Sequence, residues 1–223
     1  MNIILLGPPG SGKGTQAQKL SSRACLPHLS TGDMLRAGAT VGTPVGLSAK
    51  EIMNKGHLVP DKILIEMIRE RIAADDCRTG FLMGGFPRTV AQAESLDRLL
   101  AKQHSRVDLV IEIQVDEAAL IDRISGRFTC ARCGASYHDH FNRPAAANVC
   151  DRCGSQQFTR RADDNAETVR ARLAAFRAQT MPLVPYYGSK GVLKSVDGMA
   201  DPKEVARRMG AVLQERQLNQ RSS

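Results

Sequence analysis

Short apolar runs alternate with amphipathic stretches along most of the chain. Residues 3–6, Ile-Ile-Leu-Leu, contain no polar position, the pattern of a parallel strand covered on both faces. Gln16-Ala17-Gln18-Lys19-Leu20 follows as helix. Residues 25–29 predict a second strand, with Cys25 as a small buried apolar residue. Ser30-Thr31-Gly32-Asp33 then offers capping side chains for a helix through Met34-Leu35-Arg36. Further helices are expected over 43–54, closed by Lys55-Gly56, and from Val59-Pro60-Asp61 through Arg71-Ile72. Phe81-Leu82-Met83 is a third apolar run, broken by Gly84-Gly85-Phe86-Pro87-Arg88-Thr89 before a helix over 91–100. Residues 107–115 are rich in β-branched side chains and predict a fourth strand, and Asp116 caps a helix through Ile124. Residues 192–196 predict a fifth strand and about 202–213 a final helix, with a polar remainder, 214–223, that frays.

Strands alternating with helices imply an α/β fold: a parallel five-stranded sheet with crossover connections, flanked by helices. Ligands of such sheets bind beyond the carboxyl ends of the strands, where the first and third strands both run into glycine turns. Residues 127–164 interrupt this rhythm. Cys130-Ala131-Arg132-Cys133 and Cys150-Asp151-Arg152-Cys153 are two C-x2-C pairs separated by sixteen residues, each followed by a glycine, Gly134 or Gly154. Four thiolates at this spacing can close a tetrahedral zinc site with no open position, which makes its role structural. His138 and His140 are read as surface residues because four cysteines complete the site. Two disulfides within the knuckles are the competing reading, disfavoured in a cytosolic chain.

Composition narrows the setting. The 223 residues suit one main core with small insertions, and six cysteines are few for a disulfide scaffold. No apolar run approaches a membrane span, and the N-terminus enters a strand at once without a leader pattern, so a cytoplasmic protein with no membrane partner is expected. The formal charge of +8 fits either a nucleic-acid partner or a cleft that gathers phosphates.

The first fifteen residues carry the sharpest chemistry. Gly7-Pro8-Pro9-Gly10-Ser11-Gly12-Lys13-Gly14-Thr15 lies between strand and helix, where glycines let the backbone curl around phosphate oxygens and the helix N-terminus points amides at an anion. Lys13 adds a mobile charge for the β and γ phosphates. The pattern is that of a phosphate-binding loop, except that Gly14 intervenes between Lys13 and the hydroxyl of Thr15.

The segments GPPGSGKGT (7–15), STGDMLR (30–36), GGFPRT (84–89), DRISGR (122–127), the four cysteines, and RADD (161–164) followed by Arg172 resemble, in this order, the adenylate kinase family, in its long bacterial form with a zinc-binding lid. The resemblance spans nearly the whole chain and accounts for Gly14. It implies a P-loop NTPase-type core (1–29, 60–126 and 165–223), a small helical AMP-binding insertion (30–59) and a zinc-binding lid (127–164). The implied reaction is reversible phosphoryl transfer from Mg-ATP to AMP, giving two ADP, in adenine nucleotide homeostasis and salvage. By resemblance, ATP is held by Gly10, Ser11, Gly12, Lys13, Gly14, Thr15, Arg123, Arg127, Ser136 and Tyr137. AMP is held by Thr31, Arg36, His57, Leu58, Val59, Gly85, Arg88, Gln92, Arg161 and Arg172. Lys13, Arg88, Arg123, Arg127, Arg161 and Arg172 surround the transferring group, each guanidinium offering a planar fork to phosphate oxygens. Zn2+ on Cys130, Cys133, Cys150 and Cys153, Mg2+ carried with ATP, and a monomer are also implied.

The family usually carries an Asp where this chain has Gly84, and that Asp helps hold the water shell of the magnesium; Asp33 is the nearby acidic substitute. Phe128 stands where a second Arg is common, and Ala162 follows Arg161. Three rival readings stay open: another nucleoside monophosphate kinase, a catalytically impaired nucleotide binder because of Gly84, and a nucleic-acid module in which the knuckles act with Arg127, Arg132 and Arg152. Against the last, only Phe128, Tyr137 and Phe141 interleave with the basic residues.

Overall fold

The computed structural model describes residues 1–221. At its centre lies β1 (Asn2–Leu6), buried at every position. It pairs in parallel with β3 (Phe81–Gly84) on one side and β4 (Leu109–Gln114) on the other. β2 (His28–Ser30) and β8 (Leu193–Asp197) complete a parallel five-stranded sheet of order β2-β3-β1-β4-β8. Successive side chains of β1 point to opposite faces and so seed two cores. Ile3 and Leu5 pack with Ala17 and Leu20 of α1 (Lys13–Ala24) and with Val205 and Met209 of α9 (Pro202–Arg221). Ile4 and Leu6 join Leu64 and Ile68 of α4 (Asp61–Ile72), Leu96 of α5 (Val90–Ala101) and Tyr187 of α8 (Leu183–Ser189). The absence of alternation in 3–6 follows from this two-sided cover.

Between β2 and α4 stand α2 (Thr31–Val41) and α3 (Pro44–Asn54). Ser30 caps α2 by accepting from the Asp33 N–H, and Thr43 caps α3 by accepting from the Gly46 N–H. The helices touch at Gly38 and Gly46; a Cβ on Gly46 would lie 2.1 Å from the Gly38 carbonyl carbon, so any side chain there would force them apart. After α6 (Leu120–Ser125), β5 (Arg127–Cys130), β6 (Ser136–His138) and β7 (Phe158–Thr159) form a separate antiparallel sheet of order β6-β5-β7. Among the described residues, no helix is long and apolar enough to cross a membrane.

Several boundaries differ from the sequence expectation. The second strand is 28–30 rather than 25–29, because α1 runs on to Ala24 and Cys25 ends it in the left-handed region (φ 53), its N–H bonded to the Ser21 carbonyl. Cys25 is therefore exposed, not buried. His138 also departs from expectation: it is buried, its Nε2 is 2.9 Å from the Asp122 carbonyl, and its Nδ1 accepts from the His140 and Phe141 N–H groups. His140 is exposed as expected. The last helix continues to Arg221 instead of ending near 213; residues 222–223 of the tail lie outside the described residues. The sequence reading missed α7 (Ala166–Ala175), a five-residue π-helical turn (Phe176–Thr180) and α8.

Candidate active site

The carboxyl ends of β1 and β3 open into a cavity of about 690 Å3, bounded by the glycine loop, α2, the 56–58 turn and the small antiparallel sheet. The loop is shaped by its glycines. Gly10 and Gly12 adopt φ of 83° and 87°, and a Cβ on Gly10 would sit 2.8 Å from Ile124 Cγ1. α1 then starts at Lys13, whose Nζ donates to the Gly7 carbonyl at 2.6 Å, the Pro8 carbonyl at 2.7 Å and Ser11 Oγ at 3.3 Å. An anion entering the loop competes for these bonds while meeting the helix N-terminus.

Six arginines from different segments line the same cavity as Lys13. Arg88, in the turn after β3, is held at three points. Its N–H donates to Gln92 Oε1 at 2.7 Å, its Nε–H to the Gly85 carbonyl at 2.8 Å, and its carbonyl accepts from Thr180 Oγ1 at 2.8 Å. Arg127, at the start of β5, makes a bidentate pair with Asp164 at 2.8 and 2.5 Å. Arg172 on α7 pairs with Asp163 at 2.9 Å and reaches Asp164 at 3.3 Å. Asp33 on α2 bridges Arg36 at 2.5 Å and Arg161 at 3.1 Å. Arg123 on α6 donates to the Gly198 carbonyl at 2.9 Å.

So many cations cannot share one cleft without changing one another's chemistry. Burial, followed by the fields of Arg88, Arg172 and Arg127, pulls the Lys13 ammonium down to about 7. Burial with Arg172 and Arg36 lowers Arg88 to about 10, and burial with Arg127 and Arg36 does the same to Arg161. Burial disfavours the charged form of Asp33, but Arg161 and Arg36 outweigh it and hold the carboxyl at about 2. The positive groups of the cluster repel one another, a repulsion that a polyanion would relieve.

The cavity brings together Gly10, Ser11, Gly12, Lys13, Gly14, Thr15, Arg36, His57, Leu58, Gly85, Arg88, Arg123, Arg127, Ser136, Tyr137, Arg161 and Arg172. It does not include Thr31, Val59 or Gln92, which are buried behind its wall. Thr31 donates to the Gly85 carbonyl at 3.0 Å, and the Gln92 amide lies between the Arg88 N–H and Asp61 Oδ1, to which its Nε2 donates at 2.6 Å. Sequence reasoning missed the anchors of the arginines. Asp163 and Asp164 stood in the quoted RADD segment, and their adjacency to Arg161 was the available signal. Thr180 had none, since the π turn that delivers it carries no pattern. Met199, Ala200 and Pro202, beyond β8, also line the cavity.

Away from the cleft, the sulfurs of Cys130, Cys133, Cys150 and Cys153 all lie within 4.8 Å of one another. The contacts between knuckles are 3.6 Å for Cys130 and Cys153 and 3.5 Å for Cys133 and Cys150. The knuckles fold alike, each with a left-handed glycine (φ 71 at Gly134, 69 at Gly154) whose N–H bonds back to the first cysteine carbonyl. Zinc–sulfur bonds of about 2.3 Å put tetrahedral sulfurs about 3.8 Å apart, so this thiol set fits such an ion.

Comparison with known proteins agrees with these features. A family model described as adenylate kinase matches residues 5–192. The adenylate kinase of Rhizorhabdus wittichii is 53% identical over 213 residues, covering 96% of this chain and 99% of its own. That of Rhizobium rhizogenes is 54% identical with the same coverage, and that of Paramagnetospirillum magneticum 52% identical, covering 96% and 98%. With the glycine loop, the converging arginines and the paired knuckles all present in one chain, the protein belongs to the adenylate kinase family.

Proposed function

We propose that the chain transfers the terminal phosphoryl group of ATP to AMP, reversibly, giving two ADP. The observation that carries this is the single cavity in which the glycine loop with Lys13 meets arginines from both sides of the cleft. In-line phosphoryl transfer leaves the protein little covalent work, so alignment and charge neutralisation do most of it. The ATP phosphates occupy loop 10–15, with Lys13 on the β and γ oxygens and Arg123, Arg127 and Ser136-Tyr137 toward the rest of the nucleotide. The AMP phosphate lies on Arg36 and Arg88. One of its oxygens attacks the γ phosphorus, the bond to the β,γ-bridging oxygen breaks, and Arg161 and Arg172 stabilise the charge passing between the two nucleotides. Magnesium enters with ATP as part of the substrate.

Adenine specificity is assigned to Gln92, which is fully buried behind the cavity wall, so the wall must open for its amide to meet a base. Because Arg88 N–H must donate and the Asp61 carboxylate must accept, the amide cannot flip, and it keeps one N–H and one lone pair for a base. That pair complements the N1 and amino group of adenine and opposes guanine. His57, Leu58 and Gly85 line the pocket, with Thr31 and Val59 packed behind them. Residues 30–59 and 127–164 act as moving units, joined in the closed arrangement by the Arg161–Asp33 pair; Gln18 Nε2, donating to the Gly134 carbonyl at 3.0 Å, fastens the lid to α1. Closure keeps water from taking the phosphoryl group. Zn2+ on the four cysteines supplies structure alone, since a four-thiolate site leaves no open position. All these groups come from one chain, so the site needs no partner subunit, in keeping with a monomer; a cytoplasmic setting without a nucleic-acid partner is part of the same proposal.

The test is ADP formation from ATP with AMP, GMP, CMP or UMP as acceptor. Turnover confined to AMP is expected; equal turnover with GMP would defeat the assignment of Gln92, and none with any acceptor would favour an idle nucleotide binder. Gly84 decides a further point. A Cβ there would stand 3.3 Å from His28 Nε2, so an Asp fits after a small shift of the imidazole. Gly84→Asp is expected to lower the magnesium concentration needed for half-maximal rate, and an unchanged magnesium titration would remove Gly84 from the account.

Lys13 supports a proton-linked test. With its pKa lowered to about 7, much of it is neutral at pH 8, and phosphate binding restores its usual range. Nucleotide binding should therefore take up a proton between about pH 7 and 10 and none near pH 6. Calorimetry in buffers of different ionisation heat measures the uptake. If Lys13→Met took up as many protons as the wild type, another group would be responsible.

A further inference from the structure

Tyr137 stands at two sites at once. With Ser136 it lines the nucleotide cavity, yet its ring is 6% exposed, stacked on Phe128 at 5.7 Å and edge-on to Phe158 at 5.6 Å. Its hydroxyl lies 3.4 Å from Cys150 Sγ and accepts from the Asp151 N–H at 2.8 Å. A backbone N–H can only donate, so the hydroxyl proton is directed at the sulfur. Tyr137 belongs to β6 in the first half of the small sheet, paired with Phe128 of β5, whereas Cys150 and Asp151 form the second knuckle. This hydroxyl joins the nucleotide wall to the second knuckle, as Gly134, which lines the cavity and donates its N–H to the Cys130 carbonyl, joins it to the first.

We propose that Tyr137 is a positioning residue for the metal centre, and that its hydroxyl couples metal retention to ATP binding. The proposal rests on the zinc reading. Four thiolates around a divalent cation leave two excess negative charges, and a hydroxyl donor at one sulfur disperses that charge and fixes the direction of its lone pairs. The same bond ties the second knuckle to β6, so that a nucleotide which orders β6 also orders the metal site. Coupling of this kind is reciprocal in affinity: ATP must tighten metal binding by the factor by which metal tightens ATP, and slower metal loss is its expected kinetic expression.

The experiment uses zinc-loaded full-length protein as wild type, Tyr137→Phe and Phe128→Leu. Zinc content is measured first, and then the rate of zinc loss to a chromogenic chelator with and without saturating ATP. Tyr137→Phe keeps the ring and its packing, and is expected to bind one zinc but to lose it about 10- to 100-fold faster. ATP should slow the loss in wild type and have little effect in Tyr137→Phe, with the KM for ATP raised and that for AMP unchanged. Equal loss rates in wild type and Tyr137→Phe would overturn the proposal, as would a wild-type rate indifferent to ATP. If Phe128→Leu, which keeps the hydroxyl, reproduced both effects, ring packing rather than the hydroxyl would be responsible. A wild type that holds no zinc would instead defeat the zinc reading itself.

Discussion

Arg88→Ala should lower kcat/KM for AMP about 1,000-fold, the range seen when one charged donor is removed from a phosphoryl-transfer or oxyanion site. Few side chains in the protein are so closely held. Bonds from Gln92 and Thr180 fix its backbone on both sides, and the Gly85 carbonyl fixes its Nε, so the fork meets substrate without first being ordered. Arg88→Lys keeps the charge but not the two-pronged geometry and should recover only a small part of the loss. Stability should move the other way. The pKa of Arg88 is lowered because burial and the Arg172 and Arg36 charges work against it, so removing it relieves repulsion, and the melting temperature should stay level or rise. Steady-state ADP formation with varied AMP and a thermal melt measure both effects. A kcat/KM within a few-fold of wild type would remove Arg88 from the phosphate site.

Cys150→Ser should have the second largest effect, and a different signature. The interior of the small sheet is built from little more than Cys130, Ala135, Tyr137 and Cys150, with Phe128 and Phe158 partly buried beside them. That is too small a core to fold a segment of this size unaided, and zinc binding in comparable small units contributes about 10–16 kcal/mol. Loss of one thiolate should empty the site, make residues 127–164 sensitive to protease, and lower kcat/KM for ATP about 100-fold through Arg127, Ser136 and Tyr137. The core should keep a cooperative melt, since the five-stranded sheet has its own two-sided interior. Zinc analysis, limited proteolysis and kinetics together test this. Full zinc content, or zinc loss with 127–164 still resistant, would show that the metal does not hold this segment.

The parts legible in the sequence were those governed by local rules. The buried strand at 3–6, the glycine loop, the caps at Ser30 and Asp116, and the knuckle spacing each depend on residues within a few positions of one another. The parts that stayed hidden depend on distant packing. Residues 166–175 offer only Val169 and Leu173 as buried apolar positions, too few for a visible helical stripe. Cys25 looks apolar but marks a left-handed helix end, which no neighbour announces. His138 looks like a surface polar residue until the chain folds back to give it the Asp122 carbonyl and two N–H donors. The same divide runs through the site: its cations are visible as motif residues, whereas the pairing of Arg172 with Asp163, and the hold of Thr180 on Arg88, exist only in three dimensions.

The order β2-β3-β1-β4-β8 sets a limit on biosynthesis. The loop at 7–15 is the first part of the site to leave the ribosome, but its cations come from as far away as Arg172, and the Asp33–Arg161 pair spans 128 residues. Contacts so distant form slowly and late. A nascent chain therefore exposes the glycine loop long before it has the charges to use it, and phosphoryl transfer is withheld at least until synthesis has passed Arg172.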